Sequence, residues 1–324
     1  MELIEFLHKK KRKIINKYFS VNDYDYRKSR RATSLLSDKT YIKKLYFRQM
    51  GKVPNLDDPK TFTEKLQWLK LYDRKPEYTK MVDKYAVREY IKSLVESKGN
   101  TCSDLGLNFI PLLGVWDRAE DIDFATLPNQ FVLKCNHDNG PIICKNKNTF
   151  NIEGARNELR KKLKMDYYKF SREWPYKNVK RKVICEQYMN DGSGDALTDY
   201  KFFCFNGVPK YLYVDRFIAG EEYLDFYDMD FNHMPFKRLD YPNQYNGEVS
   251  KPKCFKKMKV IATILTQNIP SVRCDFYEIN GEIYFGELTF FTAGGFIPFY
   301  PEEWDLKLGE MIDLPIKDRK KVIL

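Results

Sequence analysis

The sequence has few of the residues from which small metal centres and disulfide frameworks are built. It contains seven cysteines, an odd number with no Cys-x-x-Cys pair, and three histidines, none of them at metal-ligand spacing. Most of the cysteines lie among apolar neighbours, so we expect small buried side chains in a reducing compartment. A disulfide framework, a zinc knuckle and a histidine-based metal site are not expected.

Long apolar runs and low-complexity segments are also missing. Glycine and proline contribute 16 and 15 of the 324 residues, and no apolar run approaches the ~20 residues of a membrane span. No basic-then-apolar signal peptide opens the chain. The hydrophobic fraction of 43% and aromatic fraction of 15% supply a sizeable core, which excludes intrinsic disorder. The length suggests roughly two domains, and a cytoplasmic protein is predicted.

The net charge of +11 is concentrated near the start of the chain. Residues 1–50 contain 14 basic and 5 acidic residues, with the densest run at residues 9–13. Apolar residues recur around this run at helical spacing, which predicts a basic helical arm over residues 1–50. Residues 1–20 could contact an anionic membrane or another polyanion, or form a solvated helix packed along one stripe. Nucleic acid is not expected, because no zinc-finger, RRM or homeodomain signature follows.

The pattern of elements changes along the chain. Helical periodicity covers residues 60–73, with Thr61 or Thr63 as the cap, and residues 77–97. Later segments predict strands at 131–135, 142–144 and 182–187, helices at 153–166 and 252–267, and hairpins at the Asn-Gly pairs 206–207 and 280–281. The fold class predicted is α+β, with a helical N-terminal third followed by antiparallel strands.

The segment 271–290 contains the most informative pattern. Strand alternation places Arg273 and Asp275 on one face of the first strand, and Glu287 and Thr289 on one face of the second. If the apolar residues of both strands share the other face, these four polar side chains meet. A two-residue turn would separate the carboxylates, so we predict a three-residue loop with Gly281 left-handed and a bulge.

Two carboxylates beside a guanidinium and a hydroxyl indicate a site for Mg²⁺ and phosphate. An amphipathic hairpin with a solvated polar face explains this pattern equally well. Other segments favour the site: Lys134 interrupts an apolar strand, where an unpaired ammonium is costly, and a polar loop with Gly140 follows. No Walker-type phosphate loop occurs. Glu186 ends a buried strand, where it could accept hydrogen bonds from adenine or ribose.

The order of these residues resembles the ATP-grasp superfamily. Three segments resemble its TupA-like family more narrowly: Asp83-Lys-Tyr-Ala-Val-Arg88, Leu127-Pro-x-Gln-Phe-Val-Leu-Lys-Cys-Asn-His137 and Gly286-Glu-Leu-Thr-Phe290. The similarity covers roughly residues 50–310. It implies an N-terminal pre-ATP-grasp region at residues 51–127 and two α+β ATP-grasp lobes at residues 128–324, which grip ATP between them.

The resemblance also implies a role for each matching residue. The nucleotide-binding residues would be Lys84, Lys134, His137, Gly140, Glu186, Gln187, Tyr188, Asp199 and Lys201. Lys134 and Lys201 would lie on the phosphates, and residues 186–188 around adenine and ribose. Arg273 and Lys201 would act on the transferred phosphoryl group. Asp275 and Glu287 would bind Mg²⁺, with Thr289 in place of the asparagine that many relatives have.

The implied reaction joins a carboxylate to an amine through an acylphosphate, with ATP as phosphoryl donor. The family is associated with teichuronopeptide and capsular polysaccharide synthesis. The resemblance therefore implies a hexuronic acid of a polysaccharide or its precursor as acceptor and an amino acid or amino alcohol as amine. Two other hypotheses stay open: a glycosyltransferase of the same pathway and a non-enzymatic polyanion-binding protein. Asp228-x-Asp230 has the form of a glycosyltransferase metal motif, but the same spacing occurs at Asp23-x-Asp25 and Asp121-x-Asp123, so a solvated turn is favoured. For the ligase we expect a cytoplasmic protein, with residues 1–20 at the inner membrane surface.

Overall fold

The computed structural model describes residues 36–192, 196–218, 220–241 and 249–315. Its α-helices are α1 (Asp38–Met50), α2 (Phe62–Tyr72), α3 (Glu77–Val82), α4 (Ala86–Glu96), α5 (Ile152–Lys164), α6 (Tyr168–Ser171), α7 (Phe255–Leu265) and α8 (Glu303–Glu310). Of the basic helical arm predicted over residues 1–50, residues 1–35, with the basic run at residues 9–13, lie outside the described residues, and α1 is helical as predicted. None of the helices in the described ranges is long and apolar enough to cross a membrane.

The strands are β1 (Leu107–Phe109), β2 (Leu112–Trp116), β3 (Phe131–Cys135), β4 (Ile142–Cys144), β5 (Val183–Gln187), β6 (Asp199–Phe205), β7 (Val208–Ile218), β8 (Glu221–Asp228), β9 (Lys237–Arg238), β10 (Ser271–Ile279), β11 (Glu282–Thr289) and β12 (Phe299–Tyr300). They form a six-stranded sheet, a four-stranded sheet and the pair β12–β9. The predicted strands at 131–135, 142–144 and 182–187 are confirmed.

Helices α2 and α4 begin where a side chain accepts hydrogen bonds from their first backbone N–H groups. Helix α2 begins after Thr61, whose side chain accepts a hydrogen bond from the Glu64 backbone N–H in a complete capping box. The helical periodicity predicted over residues 77–97 is confirmed, but it is divided between α3 and α4. The chain breaks after α3, because the Asp83 carboxylate accepts from the backbone N–H groups of Tyr85 and Ala86 at 2.9 and 3.2 Å and so starts α4.

The four-stranded sheet has the order β2-β5-β3-β4, and all its neighbours are antiparallel. Alternation gives it one apolar face and one polar face. The apolar face forms a small core with α5, built from residues such as Phe131, Leu133, Val183 and Leu159. The other face carries Lys134 and directs it away from this core.

The six-stranded sheet has the order β1-β11-β10-β6-β7-β8, with β1 parallel to β11 and the other neighbours antiparallel. Helix α7 covers one face, where the Phe202 and Phe255 ring centroids lie 5.8 Å apart. Strands β1 and β2 come from the region 51–127, so that region completes both sheets.

Both Asn-Gly pairs form two-residue hairpin turns. Asn206, Gly207, Asn280 and Gly281 all have φ between 51° and 82°, as a type I′ turn requires. The three-residue loop predicted at residues 280–281 is therefore wrong, since Ile279 pairs directly with Glu282.

The bulge that the polar face requires lies further along the hairpin. The register shifts between Cys274 and Phe276, where Asp275 faces both Gly286 and Glu287. A Cβ on Gly286 would lie 3.0 Å from the Asp275 carbonyl oxygen, so the close approach of the strands needs glycine there. The bulge restores the predicted face.

Candidate active site

Arg273 is the centre of a polar cluster on the β10–β11 hairpin. Its Nη2 lies 2.6 Å from Asp275 Oδ2 and 3.1 Å from both Glu287 Oε1 and Thr289 Oγ1. Thr289 in turn donates to Glu287 Oε1 at 2.9 Å. The four side chains predicted to share one face are thus in direct contact. Because one nitrogen contacts both carboxylates, both are within reach of a single cation.

Neighbouring strands hold the Arg273 guanidinium from its other side. Arg273 Nη1 donates to Tyr213 Oη at 2.7 Å, and Arg238 Nη1 donates to the same oxygen at 3.3 Å. Arg238 is itself paired with Asp240. Sequence reasoning did not place Tyr213 or Arg238 in the site. The alternation of β7 indicates that Tyr213 points inward, but an inward aromatic side chain is equally typical of core packing.

Lys201 lies on the same face, one strand away. The β6–β10 register places it opposite Asp275, and its Nζ lies 2.5 Å from Asp215 Oδ2 and 3.1 Å from Asp199 Oδ2. Burial opposes a charged lysine, but Asp199, Tyr213 and Asp215 together outweigh it and hold the pKa of Lys201 well above its ordinary value. The predicted residues Asp199 and Lys201 therefore form an ion pair beside the Arg273 cluster.

The two predicted metal ligands differ in their electrostatics. Burial raises the pKa of Asp275 despite the opposing charge of Arg273. Burial acts in the same direction on Glu287, but Lys84, Arg273 and Lys201 together outweigh it and lower the pKa of Glu287. Glu287 is therefore a carboxylate at neutral pH, in a field that favours negative charge.

A second cluster lies on the polar face of the four-stranded sheet. Glu186 Oε2 lies 2.6 Å from Lys134 Nζ, and Glu186 Oε1 lies 2.6 Å from Arg88 Nη2. Glu186 is 6% exposed, and these cations lower the pKa of its carboxyl group against the effect of burial. In this arrangement Glu186 orients Lys134, and sequence reasoning missed Arg88 as its second partner. A direct contact of Glu186 with adenine stays a prediction.

The corner between α3 and α4 joins the two clusters. Lys84 donates its backbone N–H to the Asn136 carbonyl at 2.9 Å, and its Nζ lies 3.1 Å from Glu287 Oε2. Arg88, one turn later on α4, contacts Glu186 of the other sheet. The break between α3 and α4 therefore brings Lys84 to the site. The helical pattern of residues 77–97 did not indicate this break.

The loop after β3 contains a buried pair that the sequence did not reveal. Lys162 Nζ lies 3.2 Å from Asp138 Oδ2 and donates to the carbonyls of Asn139 and Gly140 at 3.1 and 2.5 Å. Gly140 has φ 91°, a left-handed conformation that glycine adopts readily. Lys162 thus neutralises the acidic residue of a loop predicted to approach phosphate.

His137 in the same loop is held as a neutral side chain. Its Nε2 donates to the Met165 carbonyl at 3.2 Å, since a carbonyl oxygen only accepts. Burial and the nearby Arg181 lower the pKa of His137 to about 4. Among the described residues, its buried Nδ1 has no hydrogen-bond partner. His137 therefore stands beside the site as an uncharged group, and nucleotide contact stays a prediction.

Gln187 ends β5 and Tyr188 follows it, where the chain leaves one sheet for the other. Gln187 is exposed, and its backbone N–H donates to the Pro111 carbonyl at 3.0 Å. Tyr188 is half-buried. Both residues lie next to Glu186, at the connection between the two sheets.

The residues present suit Mg²⁺ and ATP by their chemistry. Asp275, Glu287 and Thr289 offer oxygen ligands, which Mg²⁺ prefers. The clusters around Arg273 and Glu186 contain six cations (Lys84, Arg88, Lys134, Lys201, Arg238 and Arg273) and six acidic side chains (Glu186, Asp199, Asp215, Asp240, Asp275 and Glu287). This balance leaves little excess positive charge for the ~4 negative charges of ATP, and a divalent ion at the oxygen ligands would supply more. No group of three or more His, Cys, Asp or Glu side chains in the described ranges is arranged to hold a metal.

Comparison with solved structures gives matches of low identity. N5-carboxyaminoimidazole ribonucleotide synthetase from Thermus thermophilus is 14% identical with a TM-score of 0.35, over 65% of this chain and 45% of that chain. A D-alanine–D-alanine ligase from Bacillus anthracis is 14% identical with a TM-score of 0.39, over 74% and 69%. An L-amino acid ligase from Bacillus licheniformis is 14% identical with a TM-score of 0.38, over 66% and 44%.

The chain spans about half the length of the first solved structures that it matches, from 45% to 61%. These TM-scores and identities are too low to carry an argument about activity. No curated protein matches the chain by sequence. The family model for TupA-like ATPgrasp, in contrast, matches residues 64–313, more than three quarters of the chain. The chain therefore belongs to the TupA-like ATPgrasp family, and its α+β fold is an ATP-grasp fold.

Proposed function

We propose that the protein is an ATP-dependent ligase that forms an amide between a carboxylate and an amine. The carboxylate belongs to a hexuronic acid of a surface polysaccharide or its precursor, and the amine to an amino acid or amino alcohol. The observation that supports this most strongly is the contact of Arg273 with Asp275, Glu287 and Thr289, with Lys84 on Glu287. It combines oxygen ligands for a divalent ion with cations for phosphoryl oxygens.

In the first step, a carboxylate oxygen of the acceptor bonds to the terminal phosphorus of ATP, and ADP leaves. Arg273 neutralises the transferred phosphoryl group, while Lys201 and Lys134 bind the other phosphates. When bound at Asp275, Glu287 and Thr289, Mg²⁺ supplies further positive charge to the phosphates. The hydrogen bond to Tyr213 fixes the orientation of the Arg273 guanidinium. The guanidinium therefore does not have to reorient when the phosphoryl group is transferred.

In the second step, the amine nitrogen bonds to the acyl carbon and the carbon–oxygen bond to phosphate breaks. The amide forms, phosphate leaves with one oxygen of the original carboxylate, and the amine releases a proton. The residues contribute position and charge and form no covalent bond to substrate. This agrees with a site that is built from ion pairs and lacks an activated nucleophile among the residues described above.

The glycosyltransferase alternative has no comparable support. The carboxylate of Asp228 accepts from the backbone N–H groups of Asp230 and Asn232 at 2.9 and 2.8 Å. Asp228 therefore stabilises the turn after β8, and Asp228-x-Asp230 is explained by local structure.

ADP release tests the proposal. Purified protein is supplied with ATP, Mg²⁺, a uronate acceptor and a pool of amines, and each component is then omitted in turn. We expect release that requires both acceptor and amine, and that is lost in Glu287→Ala and in Lys134→Ala. Consumption of a sugar nucleotide without dependence on ATP would instead establish the glycosyltransferase. A polyanion-binding protein would show no turnover and unchanged binding in both variants.

A further inference from the structure

Residues 160–182 form a strongly basic segment within an otherwise acidic body. They include ten basic and two acidic residues, whereas the rest of residues 51–315 has 28 basic and 37 acidic residues. Positive charge in this part of the chain is therefore concentrated between α5 and β5. Such a separation of charge attracts a polyanion to one side of the molecule.

Solvent exposure selects the members of this segment that can meet a ligand. Arg160 and Lys182 are half-buried, and they pair with Glu120 at 2.6 Å and with Asp117 at 2.7 Å. We define the basic surface by five other residues of the segment, the exposed Lys161, Lys164, Lys177 and Lys180 and the half-buried Arg181.

Helix-end electrostatics explain part of the basic surface but not all of it. Lys161 and Lys164 lie in the last turn of α5, where the helix dipole favours cations. Lys177 is in a 3-10 turn, and Lys180 and Arg181 follow in extended chain, beyond that dipole. The helix dipole therefore does not account for the basic residues Lys177, Lys180 and Arg181.

The basic surface borders the candidate active site. Arg181 Nη1 donates to the Leu163 carbonyl at 3.1 Å, which joins the end of α5 to the segment before β5. Asn136 Nδ2 donates to the Lys180 carbonyl at 3.0 Å. The Asn136 carbonyl in turn accepts from the Lys84 backbone, and Lys84 contacts Glu287. Three successive contacts thus lead from the basic surface to the predicted metal ligands.

We propose that the basic surface binds the part of a carboxylate-bearing polysaccharide that extends beyond the reacting uronate. This rests on the proposed function, which places one carboxylate of the acceptor beside Arg273. A polyuronate repeats that charge along its length, so neighbouring units need cations next to the site. The basic surface supplies them, whereas the net negative charge of the surrounding body would repel the polymer.

The test compares two four-lysine variants of the full chain. The first changes Lys161, Lys164, Lys177 and Lys180 to glutamine. The matched control changes Lys210, Lys253, Lys256 and Lys257, which are exposed and of which the last two lie on α7, across the sheet from Lys201. Binding of polygalacturonate is measured without nucleotide at low and high salt. We expect at least tenfold weaker binding for the first variant at low salt, a smaller difference at high salt, and less than threefold change for the control.

The other outcomes are equally decisive. In turnover, the first variant should raise the KM for polygalacturonate and leave the KM for monomeric galacturonate unchanged. Equal polymer binding by both variants would overturn the proposal, as would binding only to phosphatidylglycerol vesicles or to nucleic acid. Selective loss of polymer binding in a protein with no ligase turnover would support the basic surface and reject the proposed function.

Discussion

Glu186→Gln tests how the second cluster is organised. The substitution removes the carboxylate that lies between Lys134 and Arg88, each of which Glu186 contacts at 2.6 Å. Loss of one partner from a fully buried ion pair costs ~3–5 kcal/mol. The side chains of Lys134 and Arg88 are 22% and 15% exposed, and glutamine keeps one acceptor oxygen. We therefore expect a loss of ~2–3 kcal/mol in the free energy of unfolding.

Thermal unfolding without ligand measures this effect. The expected loss lowers Tm by about 3–5 °C, since the unfolding entropy of a chain of 324 residues is ~0.7 kcal/mol/K. The control is Glu303→Gln, which removes an exposed pair with Lys307 and should cost at most ~0.5 kcal/mol. A Tm for Glu186→Gln equal to that of the control would refute the assigned contacts.

The loss of stability in Glu186→Gln should depend on pH in a defined direction. The pKa of Glu186 is lower in the folded chain than in the unfolded chain, so its stabilisation is present above the unfolded pKa and is lost as pH falls through the folded pKa. The gap in stability between wild type and Glu186→Gln should therefore narrow in acid. A gap that widens in acid would contradict the ion-pair assignment.

Nucleotide preference separates the two roles considered for Glu186. If Glu186 orients Lys134, the substitution weakens binding of ATP and GTP by the same factor, since both carry the same phosphates. If Glu186 contacts adenine directly, the preference for ATP over GTP changes. Titration of both nucleotides with Mg²⁺ measures this ratio.

Three further predictions concern the other clusters. Glu287→Gln should reduce the rate of ADP release ~100-fold or more, because it removes a predicted anionic ligand of Mg²⁺, and should lower Tm, because Lys84 and Arg273 each lose a carboxylate partner at 3.1 Å; an unchanged rate would argue against a metal or phosphate role. Lys162→Met should raise the KM for ATP, since it removes the cation that pairs with Asp138 in the loop after β3. A KM for ATP that equals the wild-type value at every pH would show that this loop lies away from the nucleotide. Deletion of residues 1–20 should weaken binding to anionic vesicles most at low salt, and equal binding would exclude the arm as a contact.

Alternation and turn residues made the C-terminal hairpin predictable. Within each strand, Arg273 shares a face with Asp275 and Glu287 with Thr289, because strand periodicity is local, and the Asn-Gly pairs mark the hairpins. The turn length at residues 280–281 was predicted wrongly, because the bulge that brings the two polar faces together lies within the strands and not in the loop. The position of the bulge was not predictable in the same way. It depends on the close approach of Gly286 to the Asp275 carbonyl, a contact between strands that no local pattern records.

The partners of the buried charges were the hardest part of the site to predict. Lys134 and Glu186 are 52 residues apart, and Arg88 and Glu186 are 98 apart. The sequence indicated that an embedded lysine needs a partner, but only the sheet register selects which carboxylate reaches it. Lys162 and Asp138 likewise meet because α5 packs over β3, which periodicity alone does not specify.

Helix boundaries show the limit of periodicity. Residues 77–97 keep a helical apolar pattern, yet Asp83 caps a new helix with its side chain. Local capping outweighs a continuous pattern when the break also gains a tertiary contact, as Lys84 does with Asn136.

Transfer of labelled oxygen tests the central claim most directly. A uronate acceptor labelled with oxygen-18 in its carboxylate is incubated with ATP, Mg²⁺ and the amine, and the released phosphate is examined by mass spectrometry. The proposed acylphosphate route predicts one labelled oxygen in each phosphate formed, and loss of this product in Arg273→Met. Amide formation with unlabelled phosphate, or phosphate release that does not depend on the acceptor, would contradict it.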